Sequence, residues 1–436
     1  MKKFRSLSLI SVFLLILLSF PMAQTSKKIE LTFFYPVNVG GPVTKLIEKI
    51  CSDFNKEYPN IVVKPVYTGN YDDTVIKIQT ARQGKNPPDV FINLATQRFD
   101  MAYSGAAIPL DDFAKSDGSA GKTYIDDFLP GFLQDCYVDG KLYAIPFQRS
   151  TMVLFYNKDA FAEVGLNPDA PPKTWDELIE YSKKLTKKDP SGNIIRYGVG
   201  IALNSGSAQW GFSGFAVQNS VDGRGLMSPD GKKVYFDTPE NVEVLQLWVD
   251  LQNKYKVMQP GIVQWTDLPG QFINGQVAMI YHTTGNLAMI NNNAKFKFGV
   301  SFLPARKRIA ASIGGGNFYI SSDIPKDHQQ AAWQFIKFAT DPERLAQWNV
   351  DTGYVAPRKS SFSTKIIKDY WVTLPQARVA YEQLAYGTPE LATYECAKVW
   401  RIFNDNIQSA IVGDSTPAQA LKNAQKEADE VLKKYQ

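Results

Sequence analysis

Strand-type and helix-type patterns alternate along the early part of this chain, and that alternation restricts the fold more than any other feature. Ile29–Tyr35 is a short apolar run rich in β-formers, Gly40-Gly41-Pro42 breaks it, and Val43, Leu46, Ile47, Ile50 and Phe54 then recur at helical spacing. Ile61–Tyr67 reads as the next strand and ends in Thr68-Gly69-Asn70-Tyr71. A second helical stretch passes through Val75, Ile78 and Arg82, and Pro87-Pro88 precedes a further strand, Asp89–Leu94. Strands separated by helices indicate parallel βαβ units, so the fold class is α/β.

The middle repeats the theme with different punctuation. Leu142–Phe147 and Met152–Tyr156 read as two extended runs on either side of Gln148-Arg149-Ser150-Thr151. Thr174 and Glu177 have the spacing of a capping box and open a helix through Leu178, Tyr181 and Leu185. Gly223, Gly225 and Ser228-Pro229-Asp230-Gly231 mark an exposed turn before a strand near Val234–Phe236. A helix over Asn241–Asn253 and a strand over Gln276–Tyr281 follow, the strand running into His282-Thr283-Thr284-Gly285-Asn286. The last third is helical, with Gln329–Ala339, Pro342–Asp351 ending at Gly353, and a terminal helix opened by Thr416-Pro417. Its Leu421, Ala424, Ala428, Val431, Leu432 and Tyr435 share one face. There is no low-complexity linker and no internal repeat. A mature length of about 410 residues exceeds what one core organises, so two domains crossed several times by the chain are expected.

The N-terminus sets the compartment. Lys2, Lys3 and Arg5 precede an apolar run from Leu7 to Phe20, and Ala23 leads into polar Gln24-Thr25-Ser26. A basic head, a short apolar middle and a small residue at the cut describe a secretory signal peptide over residues 1–23, and so a periplasmic location. The run is shorter than the ~20 residues a bilayer-spanning helix needs, and no cysteine follows it to carry a lipid. The net charge of +5 falls to +2 without Lys2, Lys3 and Arg5, which leaves no basic footprint for a nucleic acid. Cys51, Cys136 and Cys396 are odd in number and far apart, compatible with one disulfide or with buried free thiols. With only His282 and His328 in the chain, a histidine-based metal site or catalytic triad is poorly supplied. No metal or cofactor is expected.

In open α/β sheets, ligands collect beyond the carboxyl ends of the strands. Here those ends carry small polar and aromatic residues: Thr68–Tyr71, Ala95-Thr96-Gln97 and Thr283–Asn286. Each offers hydroxyl, amide or backbone N–H groups. Singly these are ordinary turn chemistry; together they suggest a pocket wall. Aromatic residues make up 13% of the chain, and aromatic faces pack well against the C–H faces of sugars.

Several segments in order along the chain resemble the family-1 extracellular solute-binding proteins of bacterial ABC importers. They are Val66-Tyr67-Thr68-Gly69-Asn70-Tyr71, Tyr156-Asn157-Lys158-Asp159-Ala160-Phe161, Pro171-Pro172-Lys173-Thr174-Trp175, Phe272–Met279, Ile313-Gly314-Gly315-Gly316 and Thr352-Gly353-Tyr354. Within that family the glycerol-3-phosphate-binding branch is most similar, through Gly69-Asn70-Tyr71, Ser150-Thr151 and Val399-Trp400-Arg401. The resemblance implies a two-lobed, hinged periplasmic-binding-protein fold of type II with ligand in the interlobe cleft. It places lobe one at 24–145 plus about 291–345, and lobe two at about 146–290 plus 346–436.

Carried over residue by residue, the resemblance implies ligand contacts from Tyr71, Ser150, Trp210, Thr284, Gly315, Tyr354 and Arg401, the last as a phosphate clamp. Ala95 stands where the branch has a glutamate, so Thr96 and Gln97 become its neutral substitutes, and Arg149 is an added positive charge. The expected role is capture of glycerol-3-phosphate or a related phosphorylated polyol by a monomer that delivers it to a membrane permease, without catalysis. A sugar or oligosaccharide is the alternative ligand. An exported glycan hydrolase would need two carboxyls about 5–10 Å apart across a cleft, and no segment singles out such a pair. A structural envelope protein is the third reading, and a polar, aromatic-lined cleft speaks against it.

Overall fold

The computed structural model describes residues 28–204 and 206–436, so the leader assigned to residues 1–23 lies outside the described residues. The chain opens with β1 (Ile29–Tyr35), α1 (Val43–Glu57), β2 (Ile61–Tyr67), α2 (Tyr71–Gln83) and β3 (Val90–Leu94). These strands pair in parallel, in the order β2-β1-β3. Val43, Ile47, Cys51 and Phe54 are the buried face of α1, at the helical spacing read from the sequence. Phe33 on β1 is 1% exposed, and burying a side chain of that size stabilises by about 1.5–3 kcal/mol.

Next comes β4 (Ile145–Asn157), a single strand buried along its whole length. The sequence reading of two extended runs broken at Gln148–Thr151 is corrected here. Polar residues interrupt the apolar pattern without interrupting the strand, because Gln148, Arg149 and Thr151 find partners. Gln148 accepts from Tyr71, Arg149 pairs with Asp135 at 2.9 Å, and Thr151 Oγ1 donates to the Ser312 carbonyl. The helix over Trp175–Leu185 starts at a capping box formed by Thr174 and Glu177. Then follow β5 (Ile194–Gly200), α3 (Ala208–Asn219), β6 (Val277–Thr283), β7 (Phe298–Ser301) and β8 (Ala311–Ile320). The strand expected near Val234–Phe236 is only an isolated bridge between Met227 and Val234. The chain closes with α4 (Lys326–Ala339), α5 (Pro342–Thr352), α6 (Cys396–Val412) and α7 (Pro417–Leu432).

One twisted sheet runs through the molecule in the order β2-β1-β3-β8-β4-β6-β5, with β7 beside β4. Its two central strands, β4 and β8, are antiparallel and each belongs to two bodies. The Ile145–Gln148 end of β4 and the Gly316–Ile320 end of β8 lie with β3, while Met152–Tyr156 of β4 pairs with β6. Two large apolar cores follow this division. One gathers Leu31, Phe33, Phe91, Phe147, Phe318, Trp333 and Trp348, the other Phe155, Phe212, Trp248, Met279, Trp400 and Phe403. A small third cluster of Phe132, Ile313, Val355 and Ala380 fills the crossing region.

Packing moves the lobe boundaries from those expected. Ile290, Val300, Leu303 and Ala311 belong to the second core, so the stretch after 291 stays in lobe two until β8 crosses. Trp348, Tyr354 and Ala356 belong to the first core, so lobe one continues past 345. The physical reason is that β8 itself is the crossing element, and helices α4 and α5 return to the sheet half it enters. Cys51, Cys136 and Cys396 are all buried free thiols. No helix of the described residues is long and apolar enough to cross a membrane.

Candidate ligand-binding site

The cleft lies between the two cores, beside the β4–β8 crossing. Its cavity volume is about 220 Å³.

Local structure fixes each wall. Asn70 caps α2 by accepting from the Asp73 amide at 2.9 Å, and the Asp73 carboxylate accepts from the Asn70 amide at 3.1 Å. This capping box starts the helix at Tyr71 and turns its ring into the cleft, where Oη donates to Gln148 Oε1 at 2.8 Å. Gly315 sits on β8 at φ +100, and a Cβ there would lie 1.9 Å from the Gln148 carbonyl oxygen, so only glycine fits this approach of the two crossing strands. Ser150 stands on β4 opposite Gly314. Tyr354 follows α5, which ends at Gly353 in the left-handed conformation.

Five of the nine residues proposed from sequence line the cleft together: Tyr71, Ser150, Trp210, Gly315 and Tyr354. The other four do not. Thr96 and Gln97 are buried in the turn after β3, whose Leu94 reaches the cleft instead. Thr284 is buried, its Oγ1 unpartnered, while its neighbour Thr283 lines the wall. Arg401 is exposed on α6, and Trp400 occupies the cleft in its place, held by an Nε1–H bond of 2.7 Å to the Leu391 carbonyl. The side chains that sequence reasoning missed include Trp265, Trp400, Glu390, Asp72 and Asn38. Among the described lining residues there is no lysine or arginine. Arg149, the added charge noted in the sequence, is fully buried behind the wall against Asp135 and Asn317.

Trp265 is the most elaborately held of the three indoles. Its ring stacks on His282 at 3.7 Å, and His282 Nε2 donates to the Trp265 carbonyl at 3.0 Å. His282 Nδ1 then accepts from Asn286 Nδ2 at 3.0 Å. Burial pushes the imidazole down to about 3, so it is neutral. The two lobes touch here: Trp265 Nε1 donates to the Asn38 carbonyl at 3.3 Å, and the Gly40 amide donates to Asn286 Oδ1 at 2.9 Å.

Glu390 is 6% exposed. Burial, with Asp135 nearby, pushes its carboxyl up to about 8, opposed by the Gln209 amide and Arg149. Among the described residues no cluster of three His, Cys, Asp or Glu side chains is placed to hold a metal ion.

Two α/β lobes joined by shared strands, with an aromatic and polar cleft between them, define a two-lobed solute-binding architecture. The comparisons with known proteins agree. Residues 49–375 match the bacterial extracellular solute-binding protein family, and the chain belongs to it. It is the solute-binding component of an ABC importer. It is 27% identical over 430 residues to the sn-glycerol-3-phosphate-binding periplasmic protein UgpB of Escherichia coli O6:K15:H31, covering 95% of each chain. UgpB of Salmonella typhimurium is 28% identical over 411 residues, 91% of each. Among solved structures, UgpB from Mycobacterium tuberculosis in complex with glycerophosphocholine superposes with a TM-score of 0.81 at 25% identity, covering 93% of this chain and 99% of that one. The MalE domain from Bdellovibrio bacteriovorus bound to maltotriose shares the fold, with a TM-score of 0.79 at 21% identity over 93% of this chain and 100% of that one.

Proposed function

We propose that this protein captures a neutral, polyhydroxylated ligand, a mono- or oligosaccharide, in the interlobe cleft and hands it to a membrane permease without making or breaking a bond. One observation carries the ligand class: the described lining residues include Tyr71, Trp210, Trp265, Tyr354 and Trp400 together with Asp72 and Glu390, and no cationic side chain. Indole and phenol faces pack on the C–H faces of sugar rings, while the polar residues between them bond hydroxyls. A phosphate dianion would meet no guanidinium or ammonium group in this lining, when hydrogen bonds to a charged partner are the ones worth about 1.5–3 kcal/mol. A phosphorylated polyol is the second reading, favoured by the names of the UgpB relatives and by the glycerophosphocholine complex. For that ligand, the N-termini of α2 and α3 at the cleft supply the positive ends of helix dipoles.

Export to the periplasm, action as a monomer and the absence of nucleic-acid partners belong to the same reading. The test is titration calorimetry of the mature protein against maltotriose, mannobiose, D-tagatose, glycerol-3-phosphate and glycerophosphocholine, with native mass spectrometry for a co-purified solute. Saccharide binding at micromolar Kd or tighter with none for glycerol-3-phosphate is expected. Binding confined to the phosphorylated compounds would reverse the order of the two readings, and turnover of any glycan would remove both.

A further inference from the structure

Trp210 and Glu390 present an unmet hydrogen-bonding demand to the cleft. Trp210 is 9% exposed, and its Nε1–H has no hydrogen-bond partner. The other two indoles of the cleft have both found carbonyls, Trp265 at Asn38 and Trp400 at Leu391. A buried indole N–H left unpaired in the bound state would be costly, because it gives up water and gains nothing.

Glu390 is anchored from one side only. Gln209 Nε2 lies 3.5 Å from its Oε1, and Gln209 is itself held by Asn404 Nδ2 at 2.9 Å. The other oxygen, Oε2, turns toward Gly314. A Cβ at Gly314 would lie 2.7 Å from Trp210 Nε1 and 3.2 Å from Glu390 Oε2, so the bare glycine leaves open the one point that both groups border. Ser150 stands across the strand pair from it. Both side chains ride on lobe two: Trp210 on the buried helix α3, and Glu390 on a segment tied down where the Leu391 amide donates to Ser213 Oγ at 3.2 Å.

We propose that Trp210 and Glu390 form a hydroxyl clamp that sets the ligand specificity of the cleft, the indole N–H donating to one ligand hydroxyl and that same hydroxyl donating to Glu390 Oε2. This deepens the carbohydrate reading and rests on it. A hydroxyl is both donor and acceptor, so it satisfies both groups at once. A phosphate or carboxylate oxygen, with no hydrogen to give, accepts from the indole but cannot donate to Glu390 Oε2. A deoxy position satisfies neither. A site built to bond a hydroxyl rejects the analogue lacking it strongly, because its own buried polar groups are then stranded.

The experiment uses the full mature chain and the saccharide that wild type binds from the panel of maltotriose, mannobiose and D-tagatose. Calorimetry is run on Trp210→Phe, Glu390→Met, Glu390→Gln and the Trp210→Phe/Glu390→Met pair, each checked for native circular dichroism. Both single variants are expected to weaken binding about tenfold, with the pair no weaker than a few-fold below the worse single, since both hold one hydroxyl. Glu390→Gln, which keeps an acceptor oxygen, is expected to restore most of the affinity lost in Glu390→Met. If Glu390→Met does not fold, monodeoxy analogues serve instead: one position should weaken wild type about tenfold and Trp210→Phe hardly at all. Strictly additive losses, unchanged affinities, or equal deoxy sensitivity in both proteins overturn the clamp and leave the carbohydrate reading standing. No saccharide binding by wild type overturns that reading, and the clamp with it.

Discussion

Glu390 carries its carboxyl where almost no water reaches it, and this has a consequence for stability. The group titrates near 8 in the fold and near 4.5 unfolded. The native state therefore holds the proton more tightly, and stability falls as pH rises between those values, because the unfolded chain ionises first. Below about pH 4.5 the group costs nothing; above about pH 8 a charged carboxylate is buried and the full cost is present. Gln209, Asp135 and Arg149 are the polar and charged groups that act on it. Glu390→Gln is therefore expected to melt a few degrees above wild type at pH 8.5, with the gap closing toward pH 4.5, as read by differential scanning calorimetry across pH. A gap that stays constant with pH would mean that Glu390 does not change its proton affinity on folding. At this scale the sequence was partly legible. Tyr71 and Tyr354 stood out beside turn signals, Asn70 and Gly353, that fix where a helix begins or ends. Glu390 had no such marker, since it lies in an irregular segment and its meaning depends on Trp210 and Gly314, far away in the chain.

Helix α6 shows what an element adds to a residue. Successive residues on a helix point about 100° apart, so one position of register decides whether a side chain faces the cleft or the solvent. The sequence reading placed Arg401 in the cleft, but the core positions Val399, Phe403 and Ile407 set the rotation, and with it Trp400 turns inward and Arg401 outward. Trp400→Ala is accordingly expected to weaken saccharide binding about tenfold, or ~1.4 kcal/mol, while Arg401→Ala stays within about twofold. A calorimetric titration giving the reverse order would restore the phosphate clamp. Strand β4 carries the same lesson in another form. Its apolar alternation breaks at Gln148–Thr151, and a local reading ends the strand there. Three of those residues, Gln148, Arg149 and Thr151, are buried polar groups bonded by Tyr71, Asp135, Asn317 and Ser312, all from other elements. Strands and helices with strong periodicity were legible. A crossing strand was not, because its pattern obeys two lobes at once.

Among the contacts that join the two lobes across the cleft, His282 stands behind two. It bonds the carbonyl of Trp265, whose indole reaches Asn38, and the amide of Asn286, whose Oδ1 takes the Gly40 amide. Asn38 and Gly40 follow β1 in lobe one, while Trp265, His282 and Asn286 belong to lobe two. A ligand shifts such an equilibrium only by binding the closed form better than the open one, and contacts that exist only when the lobes meet add to the closed side. Each hydrogen bond of this kind contributes about 0.5–1.5 kcal/mol. His282→Phe keeps the stacking on Trp265 and removes both imidazole bonds, so Trp265 and Asn286 lose their orientation together. Saccharide affinity is then expected to fall about tenfold, while the penalty for a deoxy position at the Trp210–Glu390 pair stays as in wild type. Small-angle scattering should show that the variant needs more ligand than wild type to reach the compact form, and the same final radius at saturation. An unchanged ligand dependence of that radius, in a variant that folds normally, would mean that the lobes meet without help from this histidine.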